Sequence, residues 1–452
     1  MRDTEQRRFG FGLISSALLV GAVVAPVAAG GQPGDRFRTS GSVQSEDVAR
    51  STGRLTSTAA AAPPSEAPSG FDNLTNGFLP QGPAFDSIDE DNVSALRSFN
   101  DDRFMFEEAE TVEDGLGPTF NAQACRECHQ NVVTGGASQV AEHRTGRLVN
   151  GEFFESLGGS LIHSRAIHPE IVERAAARDV IRTLRLSTNT LGSGFVEAIA
   201  NATLLALRTR QPLLLRGTAV EVPVLEANGQ LRVGRFGWKS QHASLESFSA
   251  DAYLNEMGIT TPLLPDENTS SGVFVGFGSG YDDVADPEDD GVDVIAFADF
   301  MRSTKAPPRG PETLDSRAGE QWFQQVGCAV CHVPAIVTAP VGTPINGGAF
   351  VVPAALGEKV IHPYSDFLLH DVGTGDGIPV LPGPAYAGTA RQMRTAPLWG
   401  LRTRNRLMHD GLSFTREDAI RRHGGQAIGA RIRFERLSPA QQRQLLAFLD
   451  SL

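Results

Sequence analysis

The sequence predicts a mainly α-helical protein in which one structural plan is used twice. Two Cys-x-x-Cys-His sequences, at residues 125–129 and 328–332, contain all four cysteines of the 452-residue chain. An amphipathic helix is predicted at the end of each half, at residues 292–301 and from residue 438 to residue 452. A motif followed by a closing helix, present twice, indicates two similar domains with a boundary near residue 305.

The two closing helices are recognised from apolar spacing and from their end signals. The last helix opens at Ser438-Pro439, and Gln441 completes a capping-box pattern. The earlier helix is stopped by Pro307-Pro308. Its predicted apolar set is Val292, Ile295, Phe297 and Phe300.

Each Cys-x-x-Cys-His sequence has the spacing of c-type haem attachment, in which both thiols add to haem vinyl groups. The adjacent histidine then becomes the proximal iron ligand. A redox-active cysteine pair or half of a zinc site would leave the histidine after the second cysteine unexplained in both motifs. We therefore expect two covalently bound haem c groups and two cytochrome c-like domains. The predicted cofactor-binding residues are Cys125, Cys128, His129, Cys328, Cys331 and His332.

The N-terminus predicts export. Arg7-Arg8 precede an apolar run over residues 9–27 that ends at small residues, which is typical of a secretory signal peptide at residues 1–29. A retained membrane anchor is the alternative, but the run is interrupted by Gly and Ser and is short for a bilayer span. Residues 30–80 are rich in Ser, Gly, Pro, Ala and Thr and are predicted to be a flexible tether. The mature protein is expected in the periplasm.

The remaining chain is predicted to form an N-terminal domain at residues 81–305 and a C-terminal domain at residues 306–452. Residues 220–222 and 231–233 flank Asn228-Gly229, which predicts a β-hairpin inserted in the first domain.

The net charge of −13 excludes nucleic acid and anionic membrane surfaces as expected partners, whereas a basic or neutral electron donor is compatible with it. The densest acidic run, residues 282–293, is interpreted as a solvated loop leading into a helix, with a cation or partner site as the alternative.

Several short segments resemble one family of redox proteins. The string Tyr364-Ser-Asp-Phe-Leu-Leu-His-Asp371 is the most specific of them. Together they resemble the bacterial di-haem oxidoreductase family, also described as thiol-oxidoreductase-like and related to the di-haem cytochrome c peroxidases. The segments lie at residues 115–121, 234–239, 255–262, 364–371, 394–400, 409–411 and 423–425.

The resemblance implies that the His129 haem reacts with peroxide and that the His332 haem receives electrons. It implies a methionine as the sixth ligand of the second haem, and Met393, four residues before Pro397, matches that position. A thioether ligand raises the reduction potential, which suits an electron-collecting haem. Met408 is the rival ligand, and core packing is the alternative for either methionine.

The resemblance also implies a carboxylate that handles protons at the first haem. Glu256, in Glu256-Met257, matches the family's catalytic glutamate, and Glu197 is the rival. The family's nearby glutamine is not evident, because an alignment through Leu245 places Phe248 there. A distal histidine, present in some relatives, would have to be one of three residues, namely His143, His163 or His168.

Trp238 aligns with a tryptophan that lies between the haems in the superfamily and could relay electrons, although a core tryptophan packed on the hairpin is the alternative. Relatives also bind a calcium ion at the domain interface through carbonyl oxygens, an asparagine and water.

The expected activity is therefore reduction of hydrogen peroxide, or another small oxidant, with electrons from a small cytochrome or cupredoxin. A di-haem oxidase or oxygenase acting on an organic or protein substrate is the second interpretation. A pure electron-transfer cytochrome is the third. A homodimer is left open.

Overall fold

The computed structural model describes residues 63–71 and 96–452. The predicted signal peptide and most of the predicted tether therefore lie outside the described residues. Within the tether, strand β1 (Ser65–Glu66) pairs in parallel with Lys359–Ile361, and the backbone N–H of Gly70 donates to the carbonyl of Ala306 over 3.0 Å. This part of the tether is bound to the C-terminal half.

The helices of the described residues are mostly short, and a π-helix, Tyr253–Met257, directly continues α5. The α-helices are α1 (Leu96–Glu107), α2 (Cys125–Cys128), α3 (Ser193–Glu197), α4 (Asn201–Arg210), α5 (Leu245–Ala252), α6 (Val292–Ser303), α7 (Leu314–Gln325), α8 (Arg416–Arg421), α9 (Ile428–Glu435) and α10 (Pro439–Leu449). The 3-10 turns are Val112–Asp114, Pro169–Ile171, Leu213–Leu215, Leu225–Ala227, Cys328–Val330, Asn346–Gly348, Ala387–Arg391, Leu401–Thr403 and Gly425–Ala427.

The strands form several small sheets. In the largest, β3 is central and pairs antiparallel with β4, β5 and β7. The strands after β1 are β2 (Thr119–Phe120), β3 (Ala141–Val149), β4 (Glu152–Glu155), β5 (Leu161–Ile162), β6 (Arg165–Ala166), β7 (Ile181–Leu186), β8 (Glu221–Val224), β9 (Gln230–Val233), β10 (Ile336–Val337), β11 (Pro344–Ile345), β12 (Phe350–Val351), β13 (Lys359–Ile361), β14 (Leu369–His370) and β15 (Met393–Arg394).

The predicted mainly α class needs correction, because 33% of the described residues are helical and 17% are extended. The fold is mixed α and β. The main omission was the β3 sheet. Strands β3 and β7 carry charged residues that are partly buried, so they lack the clean apolar and polar alternation that identifies a half-buried strand.

The predicted β-hairpin is confirmed. Strand β8 pairs antiparallel with β9, with Glu221 opposite Val233 and Val224 opposite Gln230. Asn228 (φ 52°) and Gly229 (φ 76°) take the left-handed conformations that a tight hairpin turn requires.

The first closing helix is confirmed as α6, but its buried face differs in part from the predicted set. Val294, Phe297 and Phe300 are buried, whereas Val292 and Ile295 are 61% and 48% exposed. Helix α6 packs against α1, where the rings of Phe99 and Phe300 stack with centroids 5.5 Å apart.

The second closing helix, α10, packs along α7. The predicted capping box at Ser438 and Gln441 is present. The two helices touch closely at Gly319, because a Cβ atom there would lie only 1.9 Å from the carbonyl oxygen of Gln444. Phe323 and Phe448 fill the space between the helices.

The described residues belong to one compact unit. The predicted boundary at residue 305 falls directly after α6. In the part of the chain that the structure describes, no helix combines the length and the apolar character needed to cross a bilayer.

Candidate functional site

The second motif lies in a 3-10 turn, Cys328–Val330, that follows the left-handed Gly327 (φ 89°). His332 Nδ1 lies 2.9 Å from the carbonyl oxygen of Tyr364. Because a carbonyl oxygen only accepts, Nδ1 carries the proton and Nε2 is left free for a metal. Burial lowers the pKa of His332 to about 4, so the ring is neutral, as a ligand must be.

A largely apolar cavity of about 530 Å³ lies beside this motif. Its volume is within the usual range of cofactor sites. Cysteines of the motif and histidines share its wall, so the residues present fit a haem. The lining includes Cys328, Cys331, His332, Met393, Met408 and His423.

His423 faces His332 in this cavity, with ring centroids 6.5 Å apart. Histidine-to-metal bonds are about 2 Å long, so two imidazoles on opposite sides of one iron have centres about 6 Å apart. His423 Nδ1 lies 2.8 Å from the carbonyl oxygen of Ala419, which leaves Nε2 free. The sequence places His423 in the family-like segment His423-Gly-Gly425 but does not predict a role for it. The sequence signal that could have identified His423 as a candidate ligand was its place in a segment that resembles the family, 14 residues after His409.

Both candidate methionines also reach the cavity wall. Met393 is buried in β15, opposite His370, and its sulfur lies 3.9 Å from Nζ of Lys239. Met408 has a left-handed backbone (φ 65°). Met393 as sixth ligand therefore stays a prediction, and the geometry adds His423 as its strongest competitor.

The branch-specific string places a buried ion pair beside the same cavity. His370 Nε2 lies 2.8 Å from Asp366 Oδ2, and His370 Nδ1 lies 3.7 Å from Cys331 Sγ. Burial alone lowers the pKa of His370, but the hydrogen bonds and charge interactions with Asp366 and Cys331 together outweigh burial and raise the pKa to about 10. A positive imidazolium therefore stands next to the second motif.

The first motif forms the single turn α2. His129 follows it, with its ring 6.2 Å from that of Phe106. Burial lowers the pKa of His129, so this imidazole is also neutral. Two cysteines on one turn with a neutral histidine directly behind them fit the attachment of a haem.

Glu256 lies at this first motif. It belongs to the π-helix, a rare element often found at functional sites. Asn121 Nδ2 donates to Glu256 Oε2 over 3.1 Å, and the side chain of Glu256 is 25% exposed. Burial, followed by the charges of Glu256 and Glu142, raises the pKa of Cys128 to about 12, so both carboxyl groups lie close to this cysteine.

Glu197 occupies a different environment. It is fully buried and pairs with Arg302 over 2.8 Å. It also accepts hydrogen bonds from the backbone N–H of Leu245 and from Asn346 Nδ2, at 2.8 and 2.9 Å. Burial raises its pKa, but Arg302 outweighs burial and the net pKa is lowered. These contacts give Glu197 a structural role and hold its carboxylate ionised.

Trp238 lines the cavity of the second motif, and its Nε1–H donates to the carbonyl of Leu186 over 2.6 Å. The side chain of the next residue, Ser187, hydrogen bonds to Cys128 of the first motif. Trp238 therefore contacts a chain segment, residues 186–187, that also lies near the first motif. Its ring makes an edge contact with His409, at 6.2 Å.

The remaining predicted site residues are spread over the first half. Both ring nitrogens of His163 are occupied by protein groups, His168 is exposed, and His143 lies on β3. Phe248, which replaces the family's glutamine, stacks on His242 with centroids 5.3 Å apart.

The predicted calcium ion has one candidate group of acidic ligands in the described residues. Carboxylate oxygens of Glu267, Asp286 and Glu288 lie within 4.8 Å of one another. Two of these residues belong to the acidic run at residues 282–293. The calcium ion itself stays a prediction.

Two haem-attachment motifs, one beside a cavity with facing imidazoles and the other beside a carboxyl group, define a di-haem redox protein. The chain belongs to the family described as "Di-haem oxidoreductase, putative peroxidase", which matches residues 161–452. That match includes the second motif and begins after the first. No curated protein matches the chain.

Two solved structures resemble this chain weakly, with low sequence identity and low TM-scores. Hydrazine synthase of Kuenenia stuttgartiensis, determined under xenon pressure, shares 14% identity over 93% of this chain and 100% of its own, with a TM-score of 0.37. A MauG-like protein associated with microbial copper homeostasis shares 14% identity over 64% of this chain and 95% of its own, with a TM-score of 0.28.

Proposed function

We propose that this di-haem oxidoreductase is an exported peroxidase that reduces hydrogen peroxide at the first motif with electrons received at the second. The observation that carries the proposal is the difference between the motifs. A second imidazole faces His332, whereas a protonatable carboxyl group, Glu256, lies at the first motif. A site closed by two protein ligands suits electron transfer, and a site with a proton-carrying group suits peroxide chemistry.

The residues of the first motif hold the haem and manage protons. Cys125 and Cys128 are proposed to attach it covalently, with His129 as proximal ligand. Bound haem iron supplies the binding position for peroxide and the electrons for its reduction. Glu256 holds a proton on its carboxyl group, and Asn121 fixes the orientation of that group through its amide.

The residues of the second motif hold a haem for electron entry. Cys328 and Cys331 would attach it, and the imidazoles of His332 and His423 would bind its iron. Two imidazoles give a lower potential than one imidazole and one thioether, so the identity of this ligand sets the driving force for the reaction. Trp238, which lines the cavity of the second motif, is proposed to couple this site to the first.

Export to the periplasm and a small cytochrome or cupredoxin as donor complete the proposal. The experiment is an optical spectrum of the oxidised protein, followed by peroxide titration with a reduced donor protein. High-spin bands from one haem and peroxide-dependent oxidation of the donor are expected. Two low-spin haems without turnover would overturn the proposal and favour an electron carrier, whereas high-spin haem without peroxide turnover would favour oxidation of another substrate.

A further inference from the structure

Glu256 and a second carboxyl group, that of Glu142, both lie at the guanidinium of Arg144 and are close enough to interact as hydrogen-bonding partners. Glu142 and Arg144 stand two residues apart on β3, so their side chains project from the same face of the sheet. Arg144 donates to Glu142 Oε2 through Nε and Nη2 over 3.0 and 2.7 Å. Its Nη2 lies 4.0 Å from Glu256 Oε1.

A hydrogen bond between two carboxyl groups requires a proton on one of them. The two-pronged contact with Arg144 favours the charged form of Glu142. Burial raises the pKa of Glu142, but the charge of Arg144, the interaction with Glu256, the hydrogen bonds from Arg144 and the charge of Arg185 together outweigh burial and lower that pKa. Burial and the charge of Glu142 raise the pKa of Glu256 well above its usual value. The proton therefore resides on Glu256.

The surrounding charges keep this arrangement in place. Arg185 on β7 also acts on Glu142, and Asp251 on α5 acts on Arg144. Asp251 is itself paired with His242 at 3.1 Å, and Glu155 on β4 faces Arg144. Arg144 therefore lies among several acids, but both of its hydrogen bonds to a carboxylate go to Glu142.

We propose that Glu142 is the proton partner of Glu256: the two carboxyl groups share one proton beside the first motif, and Arg144 fixes Glu142 as the ionised member. This inference rests on the proposed function in assigning the shared proton to peroxide chemistry. It makes Glu142 and Arg144 positioning residues, which act through Glu256.

The pair explains how a protonated glutamate can serve as both acid and base. Reduction of one hydrogen peroxide to two waters takes up two protons and two electrons, and the electrons come from the reduced donor protein. The pair holds one of these protons as the O–H of Glu256, and the other comes from solvent. When Glu256 must accept a proton, its own can move to the facing oxygen of Glu142.

The test is the infrared difference spectrum of the oxidised haem-loaded protein, wild type minus variant, in the region of protonated carboxyl groups. Glu256→Gln should remove one carboxyl band at neutral pH. Glu142→Gln should remove the same band, because loss of the negative charge lowers the pKa of Glu256 and leaves it ionised beside Arg144. Glu142→Asp keeps the charge and should keep the band. Glu152→Gln, at the exposed end of β4, should change nothing.

Peroxide turnover gives an independent measure of the pair. Each single Gln variant is expected to lose about 10²-fold or more, and the double variant should lose little beyond the larger single loss, because groups that act as one unit are not additive. Survival of the Glu256 band in Glu142→Gln would overturn the inference. If wild-type protein does not reduce peroxide, the proposed function fails, yet the infrared result still decides whether the carboxyl groups share a proton.

Discussion

The two glutamates that the sequence suggested as catalytic residues differ in their ionisation. Glu197 and Glu256 are both largely enclosed, but Glu197 meets a guanidinium and Glu256 meets another carboxyl group. The first arrangement fixes a permanent negative charge, and the second stores a proton. Sequence could place both residues in family-like segments, but it could not show which partner each would meet, because Arg302 and Glu142 are each more than 100 positions away (302 − 197 = 105; 256 − 142 = 114).

Substitution of the two glutamates should therefore give opposite results. Glu256→Gln is expected to lower peroxide turnover by about 10²- to 10⁴-fold while both haems stay attached. Glu197→Gln leaves the buried Arg302 with only the partly exposed Asp299 as charge partner, and is expected to cost about 3 kcal/mol of stability, with turnover per folded molecule nearly unchanged. Steady-state kinetics and thermal denaturation of both variants measure this. Loss of turnover confined to Glu197→Gln would show that the carboxylate has been misassigned.

The sixth ligand of the second haem can be decided by spectroscopy. If His423 binds the iron, His423→Ala should convert that haem to a high-spin form, and Met393→Ala should leave it low-spin. If Met393 binds, the oxidised wild type should show a methionine-to-iron charge-transfer band that Met393→Ala removes. Met408→Ala tests the rival methionine, since Met408 lines the same cavity. A low-spin second haem in both His423→Ala and Met393→Ala would exclude both assignments.

At the scale of elements, the sequence predicted correctly those features that are determined by a few neighbouring residues. The Asn228-Gly229 turn and the Ser438 capping box were recoverable because each is fixed within a few residues. The β3 sheet was not, since its charged residues face the site and disturb the alternation. The proposed ligand role of His423 depends on the approach of the segment after α8 to the second motif, which only the tertiary fold provides.

The close contact of α7 and α10 depends on one glycine. In Gly319→Ala the new methyl group would meet the backbone of Gln444, so the helices must separate. Overpacking of this kind is expected to cost roughly 1–3 kcal/mol. Gly388→Ala is the matched control, because a Cβ atom at that residue would have no other atom within 4 Å, and it should change stability by less than about 0.5 kcal/mol. Equal melting temperatures for both variants would contradict the close packing.

The acidic loop should make stability depend on pH. Burial and the charges of Glu288 and Asp286 raise the pKa of Glu267 from 4.5 to about 9. The folded state therefore keeps a proton that the unfolded chain releases, so this stabilisation is complete below pH 4.5 and is lost as pH rises toward 9. The melting temperature of the wild type should thus fall relative to that of Glu267→Gln as pH rises from 4.5 to about 9. If these carboxylates bind calcium, added calcium should counteract this loss of stability in the wild type but not in Glu267→Gln.

At the scale of the whole molecule, the described chain brings two motifs of unlike surroundings into one compact unit. A short series of residue contacts runs between the two motifs. Trp238, at the cavity of His332, donates to Leu186, and the next residue contacts Cys128. The repeated motifs in sequence indicated two haems, whereas their unequal environments come from elements unique to each half, namely the carboxyl-bearing β3 sheet and the His423 segment.

Substitution of Trp238 should accordingly change electron transfer between the two haems more than it changes the properties of either haem site. Trp238→Phe keeps an aromatic ring but loses the N–H that donates to Leu186, and it is expected to slow oxidation of the second haem when peroxide is mixed with reduced protein. Both optical spectra should stay unchanged at equilibrium. Stopped-flow absorbance at wavelengths that distinguish the haems measures the rate. Trp322→Phe, on α7 with its N–H bonded to Gln444, is the control and should react at the wild-type rate. Equal rates in Trp238→Phe and wild type would show that electrons pass between the motifs without this indole and that Trp238 serves only to pack the cavity wall.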